Sequence, residues 1–147
     1  MLPYVIGCLL LIPAGPILAE QSVLQIRNAW IKSAAPGMNV NAGYVELYNS
    51  SGQTLVLDKL ESSCCEHVML HRTLFEGDRV RMIPVEKLSI PGNSHLQLHP
   101  GGLHIMLIKA SPVFQIGDEI PINFQFSDGQ QQTVCFSVKA GNDENNK

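Results

Sequence analysis

Two histidines and two methionines recur in the middle of the chain at spacings that could bring them together. Ten residues separate His71 from Met82, and a single residue separates His104 from Met106. Alternate residues of a β-strand project to one side of a sheet, so His104 and Met106 are expected to share a face. Imidazole and thioether groups suit Cu(I), and a thioether cannot be lost to disulfide formation in an oxidising compartment. The two pairs predict a Cu(I) site if the fold places their strands side by side.

The segment from His71 to Met82 has the pattern of a β-hairpin. Its midpoint falls between Glu76 and Gly77, where a turn is expected. A hairpin centred there pairs His71 directly with Met82, with their Cβ atoms roughly 5 Å apart on one face. We therefore predict that one imidazole and one thioether converge within this hairpin.

Further soft ligands precede the hairpin in the stretch Cys64 to Met69. His67 and Met69 share a strand face with His71 if the strand is regular, so one of them is a candidate auxiliary ligand. Taken singly, however, a methionine in a strand is usually core filler and a histidine is usually a satisfied polar residue. Spacing alone therefore leaves a metal site and a structural role both open.

The elements that would position these residues are β-strands. After residue 19 the chain shows no convincing helical period, and short β-rich runs alternate with Gly, Pro, Asn and Asp. Nine strands are expected, near residues 23–31, 43–48, 55–60, 67–74, 80–85, 94–98, 104–108, 119–126 and 133–138. Nine short strands predict an all-β sandwich or barrel.

Length and charge limit the classes of protein. The chain has 147 residues, of which 16% are charged, and a net charge of -3. This predicts one domain over residues 20–140, followed by a disordered polar tail at 141–147. The acidic balance lacks the basic footprint of a nucleic-acid-binding protein, so nucleic acid is not expected as a partner.

The N-terminal segment predicts export from the cytoplasm. Residues 1–19 contain no Asp, Glu, Lys or Arg, are interrupted by prolines and end at Ala19. A segment this short and broken favours a cleaved secretory signal over stable membrane insertion. The run Val5-Ile6-Gly7-Cys8 resembles a lipoprotein cleavage box, so a lipid-anchored form is the alternative.

Removal of the signal leaves three cysteines, Cys64, Cys65 and Cys135. An odd number means that at least one thiol is free or paired outside the chain. Adjacent cysteines lie about 3.8 Å apart at Cα, below the usual disulfide range. An internal bridge would therefore join Cys64 or Cys65 to Cys135, and small buried residues without a redox role are the equal alternative.

The motif and its surroundings resemble the periplasmic copper chaperone family called PCu(A)C. The order His71, ten residues, Met82, twenty-one residues, His104-Ile105-Met106 is similar to the signature of that family. Residues 43–49 resemble its Tyr-and-Asn strand, and residues 98–107 resemble its Pro-Gly-Gly-x-His-x-Met segment. The similarity covers nearly all of the mature chain.

The resemblance implies a cupredoxin-like Greek-key β-barrel in which His71, Met82, His104 and Met106 hold Cu(I). It implies a carrier and not an enzyme, with delivery to the copper centres of a respiratory oxidase or to another copper chaperone. Some family members add a His- and Met-rich tail that takes Cu(II). The tail here has neither residue, which argues against a second copper site.

Other function classes have weaker support. An electron-transfer cupredoxin needs a Cys ligand beside two His, and no Cys adjoins either ligand pair. A thiol oxidoreductase would be expected to carry Cys-x-x-Cys, which is absent, and a zinc hydrolase would prefer Cys, His or carboxylate to thioether. A metal-free secreted β-sandwich that binds another protein is the main alternative.

Overall fold

The computed structural model describes residues 23–141. The predicted signal at 1–19 and the tail after Gly141 lie outside the described residues. Residues 23–141 form ten strands and no helix, which confirms the all-β prediction. The strands are β1 (Leu24–Lys32), β2 (Val40–Asn49), β3 (Leu55–Glu61), β4 (Cys65–Glu76), β5 (Arg79–Val85), β6 (Leu88–Ile90), β7 (Ser94–Leu98), β8 (Leu103–Ala110), β9 (Glu119–Phe126) and β10 (Gln131–Lys139).

The strands belong to one sheet in the order β5-β4-β8-β2-β1-β10-β9-β3-β6, and β7 also pairs with β2. β1 and β10 are parallel, and the other pairs are antiparallel. The sheet curls until β3 lies close to β4, which it does not pair with. Since β4 and β8 are neighbours, the fold places the two predicted ligand strands side by side.

Nine of the strands fall where the sequence places them, and the short β6 was not predicted. It pairs with β3, and its Leu88 and Ile90 are both buried. Three residues are too few to display an alternating pattern, so nothing in the sequence separates this strand from the loop around it. No helix able to cross a membrane occurs within residues 23–141.

The core lies on the inner face of the curled sheet. On β8, Leu103, Ile105 and Leu107 point into it, and across the interior Phe124 and Phe136 stack with ring centroids 6.2 Å apart. Because strand residues alternate between faces, burial of these three β8 side chains turns the residues between them to the outer face. The hydrophobic pattern of β8 therefore decides where His104 and Met106 point.

The β4–β5 hairpin has a register different from the predicted one. His71 pairs with Pro84, and Met82 pairs with Thr73, so the predicted direct pairing of His71 with Met82 is wrong. The turn consists of Gly77 and the following residue, and Gly77 has a positive φ of 61°, a conformation favoured for glycine at the first position of a two-residue hairpin turn. The displacement is two residues, and since side chains alternate, His71 and Met82 remain on the same face.

Cys64, Cys65 and Cys135 are all free thiols. Cys64 and Cys65 pack against the edge of the core, whereas Cys135 is exposed on β10. The structure therefore contains no internal bridge among these three cysteines, and the alternative of small buried residues fits the partly buried Cys64 and Cys65 but not Cys135.

Candidate metal centre

The two histidines face each other across neighbouring strands. His71 on β4 pairs directly with His104 on β8, and their ring centroids are 6.2 Å apart with an interplanar angle of 27°. Imidazole–metal bonds of about 2 Å put each ring centre about 3.2 Å from the ion, so two rings on one ion have centres at most about 6.4 Å apart. The observed separation is within the range that one metal ion can bridge.

His104 has one nitrogen committed and one available. The side chain is only 4% exposed, and its Nδ1 lies 3.0 Å from the carbonyl oxygen of Gly102. A carbonyl can only accept, so Nδ1 carries the proton and donates it, which leaves the lone pair on Nε2. Metal-binding histidines are commonly oriented by such a hydrogen bond from the other ring nitrogen.

The Gly102 carbonyl is held by a tight turn and by β4. Gly102 N–H donates to His99 at 3.0 Å, with Pro100 and Gly101 as the central residues, and Gly101 has a positive φ of 79°. Thr73 N–H also donates to the Gly102 carbonyl, at 3.1 Å. The Pro-Gly-Gly segment therefore fixes the acceptor that orients His104, as a type II turn with proline and glycine at its centre allows.

His71 contains a nitrogen that lacks a partner. Its Nδ1 is buried and is the one buried side-chain polar atom in residues 23–141 without a hydrogen bond. Burial, and then the nearby His104, lower the pKa of His71 below its ordinary value. The ring is therefore neutral near pH 7, and an unsatisfied buried nitrogen is costly unless a further ligand occupies it.

Three methionines surround the histidine pair on the outer face. Met106 is half-buried and directly opposite Met69, whereas Met82 lies on β5 opposite Thr73 and therefore diagonal to His71. Diagonal neighbours are within reach of long side chains. Met69 is 41% exposed and Met82 is 57% exposed.

The structure thus brings His71, His104 and Met106 together on adjacent strands, with Met82 next to them on the edge strand. His67, the other auxiliary candidate, pairs with Ile108, and its Nε2 lies 3.2 Å from Glu66 Oε1. It is separated from His71 by four residues of extended chain, about 13 Å. His67 is therefore not part of the group.

Histidine, cysteine and carboxylate side chains do not form a metal-binding cluster by themselves within residues 23–141. No group of three or more His, Cys, Asp or Glu side chains in this part of the chain could hold a metal ion. Cys135 lies on β10, three strands from β8 in the sheet order, and Cys65 is about 20 Å along β4 from His71. A metal at the histidine pair would have to be completed by thioethers, which suits Cu(I) and fits neither a zinc site nor a thiolate-ligated cupredoxin site.

Two aromatic residues flank the site on the β2 side, and spacing did not identify them. Tyr44 is buried in the strand next to β8, and Trp30 of β1 lies against it with ring centroids 4.7 Å apart. Gly43 pairs with Ile105, so continuation of the register places Tyr44 beside His104. The sequence signal for Tyr44 was the resemblance of residues 43–49 to the Tyr-and-Asn strand.

Solved PCuAC domains have structures similar to this one. The copper-bound PCuAC domain from PmoF2 has a TM-score of 0.68 at 20% identity, over 81% of this chain and 94% of that chain. The solution structure of CuI-DR1885 from Deinococcus radiodurans has a TM-score of 0.65 at 26% identity, over 82% and 79%. The chain therefore has the cupredoxin-like fold of the PCuAC domains, which confirms the resemblance seen in the motif.

The sequence comparisons give the family. Residues 24–138 match the family model described as "Putative lipoprotein LpqE-like". "Putative lipoprotein Lxx21020" from Leifsonia xyli subsp. xyli is 31% identical over 146 residues, covering 96% of this chain and 87% of the relative. "Uncharacterized protein RP573" from Rickettsia prowazekii is 28% identical over 134 residues, covering 86% and 71%. The chain belongs to the LpqE-like family.

Proposed function

We propose that this protein is a copper carrier that binds one Cu(I) through His71, Met82, His104 and Met106. The observation that carries the proposal is the cross-strand histidine pair, in which each ring has one nitrogen free of any hydrogen bond. Thioethers on the same face supply the soft ligands that Cu(I) prefers. Among the similar solved structures, two are described as bound to copper, which supports the same cargo here.

The ligand set favours release as well as binding. Thioethers are neutral and weaker donors than thiolates, so a Cys-containing acceptor gains the ion by ligand exchange. Bonds from copper to the Met sulfurs and the His nitrogens break, bonds to acceptor thiolates form, and the thiol protons pass to solvent. We propose that the acceptor is a copper centre of a respiratory oxidase or another copper chaperone, and that no bond of an organic substrate is made or broken.

The site of action is proposed to be the cell envelope, outside the cytoplasm. The charge-free segment 1–19 favours export. The lipoprotein descriptions of the family model and of the Leifsonia relative support the anchored alternative, in which Cys8 carries the lipid. An anchored carrier would load and unload its copper in the periplasm.

An anaerobic titration with Cu(I) against a chromophoric chelator, followed by X-ray absorption, tests the binding. We expect one ion per chain with two nitrogen and two sulfur ligands. Met106→Leu should weaken binding by at least about tenfold, because one soft ligand is lost. The matched control is Met38→Leu, since Met38 is 60% exposed and lies in the turn before β2.

Two results would contradict this proposal. A first shell without sulfur would exclude the thioether set, and an absence of copper binding would favour the metal-free protein-binding module. Mixing the Cu(I) form with a reduced dithiol acceptor domain tests transfer separately. Copper that stays on this protein for minutes with acceptor in excess would indicate storage instead of delivery.

A further inference from the structure

Met69 is placed where a ligand would be placed, although it does not belong to the motif from which the site was predicted. It lies on the outer face of β4, two residues before His71 and directly opposite Met106. Of the four methionines in residues 23–141, three surround the histidine pair and only Met38 lies elsewhere. A Met that fills the core would be buried, but Met69 is 41% exposed in the middle of a long strand.

The register puts thioethers on both sides of the histidine pair. Directly opposite residues have Cβ atoms about 5 Å apart, so the Met69 side chain lies beside that of Met106. Alternate residues of one strand are about 6.6 Å apart, so Met69 also adjoins His71. Met82 approaches His71 from the opposite direction along the strands, because it pairs with Thr73. The flexible Met side chains on both sides are long enough to bend over the rings.

Met82 and Met69 differ in how firmly their strands are held. Met82 belongs to β5, which pairs with β4 alone at the end of the described sheet. Met69 belongs to β4, where it pairs with Met106 of the central strand β8, and from Leu70 onward β4 also pairs with β5. The more exposed thioether is therefore on the less constrained strand, where an approaching acceptor would reach it first.

We propose that Met69 is a third thioether donor of the copper site and replaces Met82 on Cu(I) when Met82 leaves the metal. This rests on the proposed function, because it concerns how the same cargo is held. In the exchange one copper–sulfur bond to Met82 breaks and one to Met69 forms, with no change in charge or protonation. The copper keeps two sulfur ligands while the Met82 side of the site is open to an acceptor.

The test compares Cu(I) affinity and the sulfur coordination number in the full chain and its variants. Met82→Leu should retain two sulfurs per copper and lose less than about tenfold in affinity, because Met69 substitutes for the missing donor. The double variant Met69→Leu/Met82→Leu should bind at least about tenfold more weakly than Met82→Leu and show one sulfur. Met38→Leu/Met82→Leu is the matched control and should behave like Met82→Leu alone.

A second measurement needs no change at Met69. With ¹³C-methyl methionine, the Met69 methyl resonance of the Met82→Leu protein should shift on addition of Cu(I), and that of Met38 should not. Loss of a sulfur in Met82→Leu alone, or an unmoved Met69 resonance, would overturn this inference and leave the proposed function intact. Failure of the unaltered protein to bind Cu(I) would overturn both.

Discussion

His71 and His104 face each other across β4 and β8, and Met106 lies on the same face two residues beyond His104. His104 and Met106 share a face because strand side chains alternate, and this could be derived from two positions in the sequence. The pairing of His71 with His104 could not, because it depends on β4 lying against β8, a contact between segments far apart in the chain. Without that contact, the sequence predicted two separate His/Met pairs and not one site.

Met69 is a second residue whose position near the site depends on the pairing of β4 with β8. Alternation along β4 correctly puts it on the His71 face, which made it an auxiliary candidate together with His67. The position opposite Met106 separates the two candidates, since His67 pairs with Ile108 instead. Spacing along β4 does not separate the two candidates. Their pairing partners on β8 do, because only Met69 lies opposite a predicted ligand.

Cys65 gives a prediction about pH. Burial, and then the neighbouring Cys64, raise the pKa of the Cys65 thiol to about 11. An unfolded Cys ionises near pH 8.5, so above that pH the unfolded chain loses a proton that the folded chain keeps. The free energy of unfolding should therefore be unaffected by this group below about pH 8.5 and should fall as the pH rises toward 11. Denaturant unfolding across this range, with Cys65→Ala as the reference, measures it.

The raised pKa of Cys65 should also slow the alkylation of its thiol. At about pH 8 an alkylating reagent should modify the exposed Cys135 well before Cys65, because only the thiolate reacts. Peptide mass spectrometry after a timed exposure distinguishes the two. Equal rates at the two cysteines would mean that Cys65 ionises as an exposed thiol does.

At the scale of elements, the sequence predicted strands better than it predicted their registers. The hairpin turn was correctly expected near Gly77, yet a shift of one residue in the turn centre moved the partner of His71 from Met82 to Pro84. A symmetric hairpin is the simplest assumption, but the turn geometry of the glycine decides the pairing. The pairing partner of His71 changed by two residues, and because side chains alternate along a strand, His71 and Met82 still lie on the same face.

The turn between β6 and β7 gives a prediction about stability. A Cβ added to Gly92 would lie 2.5 Å from the backbone carbon of Gly52 and 2.8 Å from the backbone nitrogen of Gln53. Backbone atoms at both points cannot move aside easily, so Gly92→Ala should lower the free energy of unfolding by about 2 kcal/mol. Thermal unfolding measures the change.

Gly52→Ala is the matched control, because a Cβ at Gly52 has no atom within 4 Å. It should leave the stability nearly unchanged. Copper affinity should be the same in both variants. This turn follows the part of β2 that pairs with β7, whereas β8 pairs with the opposite end of β2. A stable Gly92→Ala protein would show that the two loops separate at little cost.

For the whole molecule, hydrophobic alternation was sufficient to predict the fold class, whereas the candidate site was inferred from the chemistry of a few residues and stays a prediction. β9 shows why alternation was sufficient, because its Ile120, Ile122, Phe124 and Phe126 are all buried in strict alternation. The order of the strands could not be derived in this way, since the parallel pairing of β1 with β10 joins the first and the last strand of residues 23–141 in the middle of the sheet. Such long-range pairings have no local signal in the sequence.

The N-terminus gives a prediction about the whole protein in the cell. If the anchored form is correct, cells grown with a labelled fatty acid should incorporate the label into this protein, and Cys8→Ser should abolish it. The protein should also move from the membrane fraction to the soluble fraction in that variant. The control is Cys135→Ser, which should keep the label.

Mass spectrometry of the purified mature protein separates the two forms. A lipid-modified N-terminus at Cys8 would support anchoring. An unmodified N-terminus at Glu20 would instead mean that the signal is cleaved after Ala19 and that the carrier is released.

The cross-strand position of the histidines also has a consequence for how long the molecule lasts. An ion held by His71 and His104 links the edge hairpin to β8, and any ligand that binds only the folded state adds its binding free energy to stability. Delivery of the cargo would remove that link and leave the β4–β5 hairpin, which lies at the edge of the sheet formed by residues 23–141, easier to separate from β8. Local opening of this kind exposes a chain to proteases. The empty carrier should therefore be degraded faster than the loaded one, so that copper supply would set the abundance of the protein as well as its occupancy.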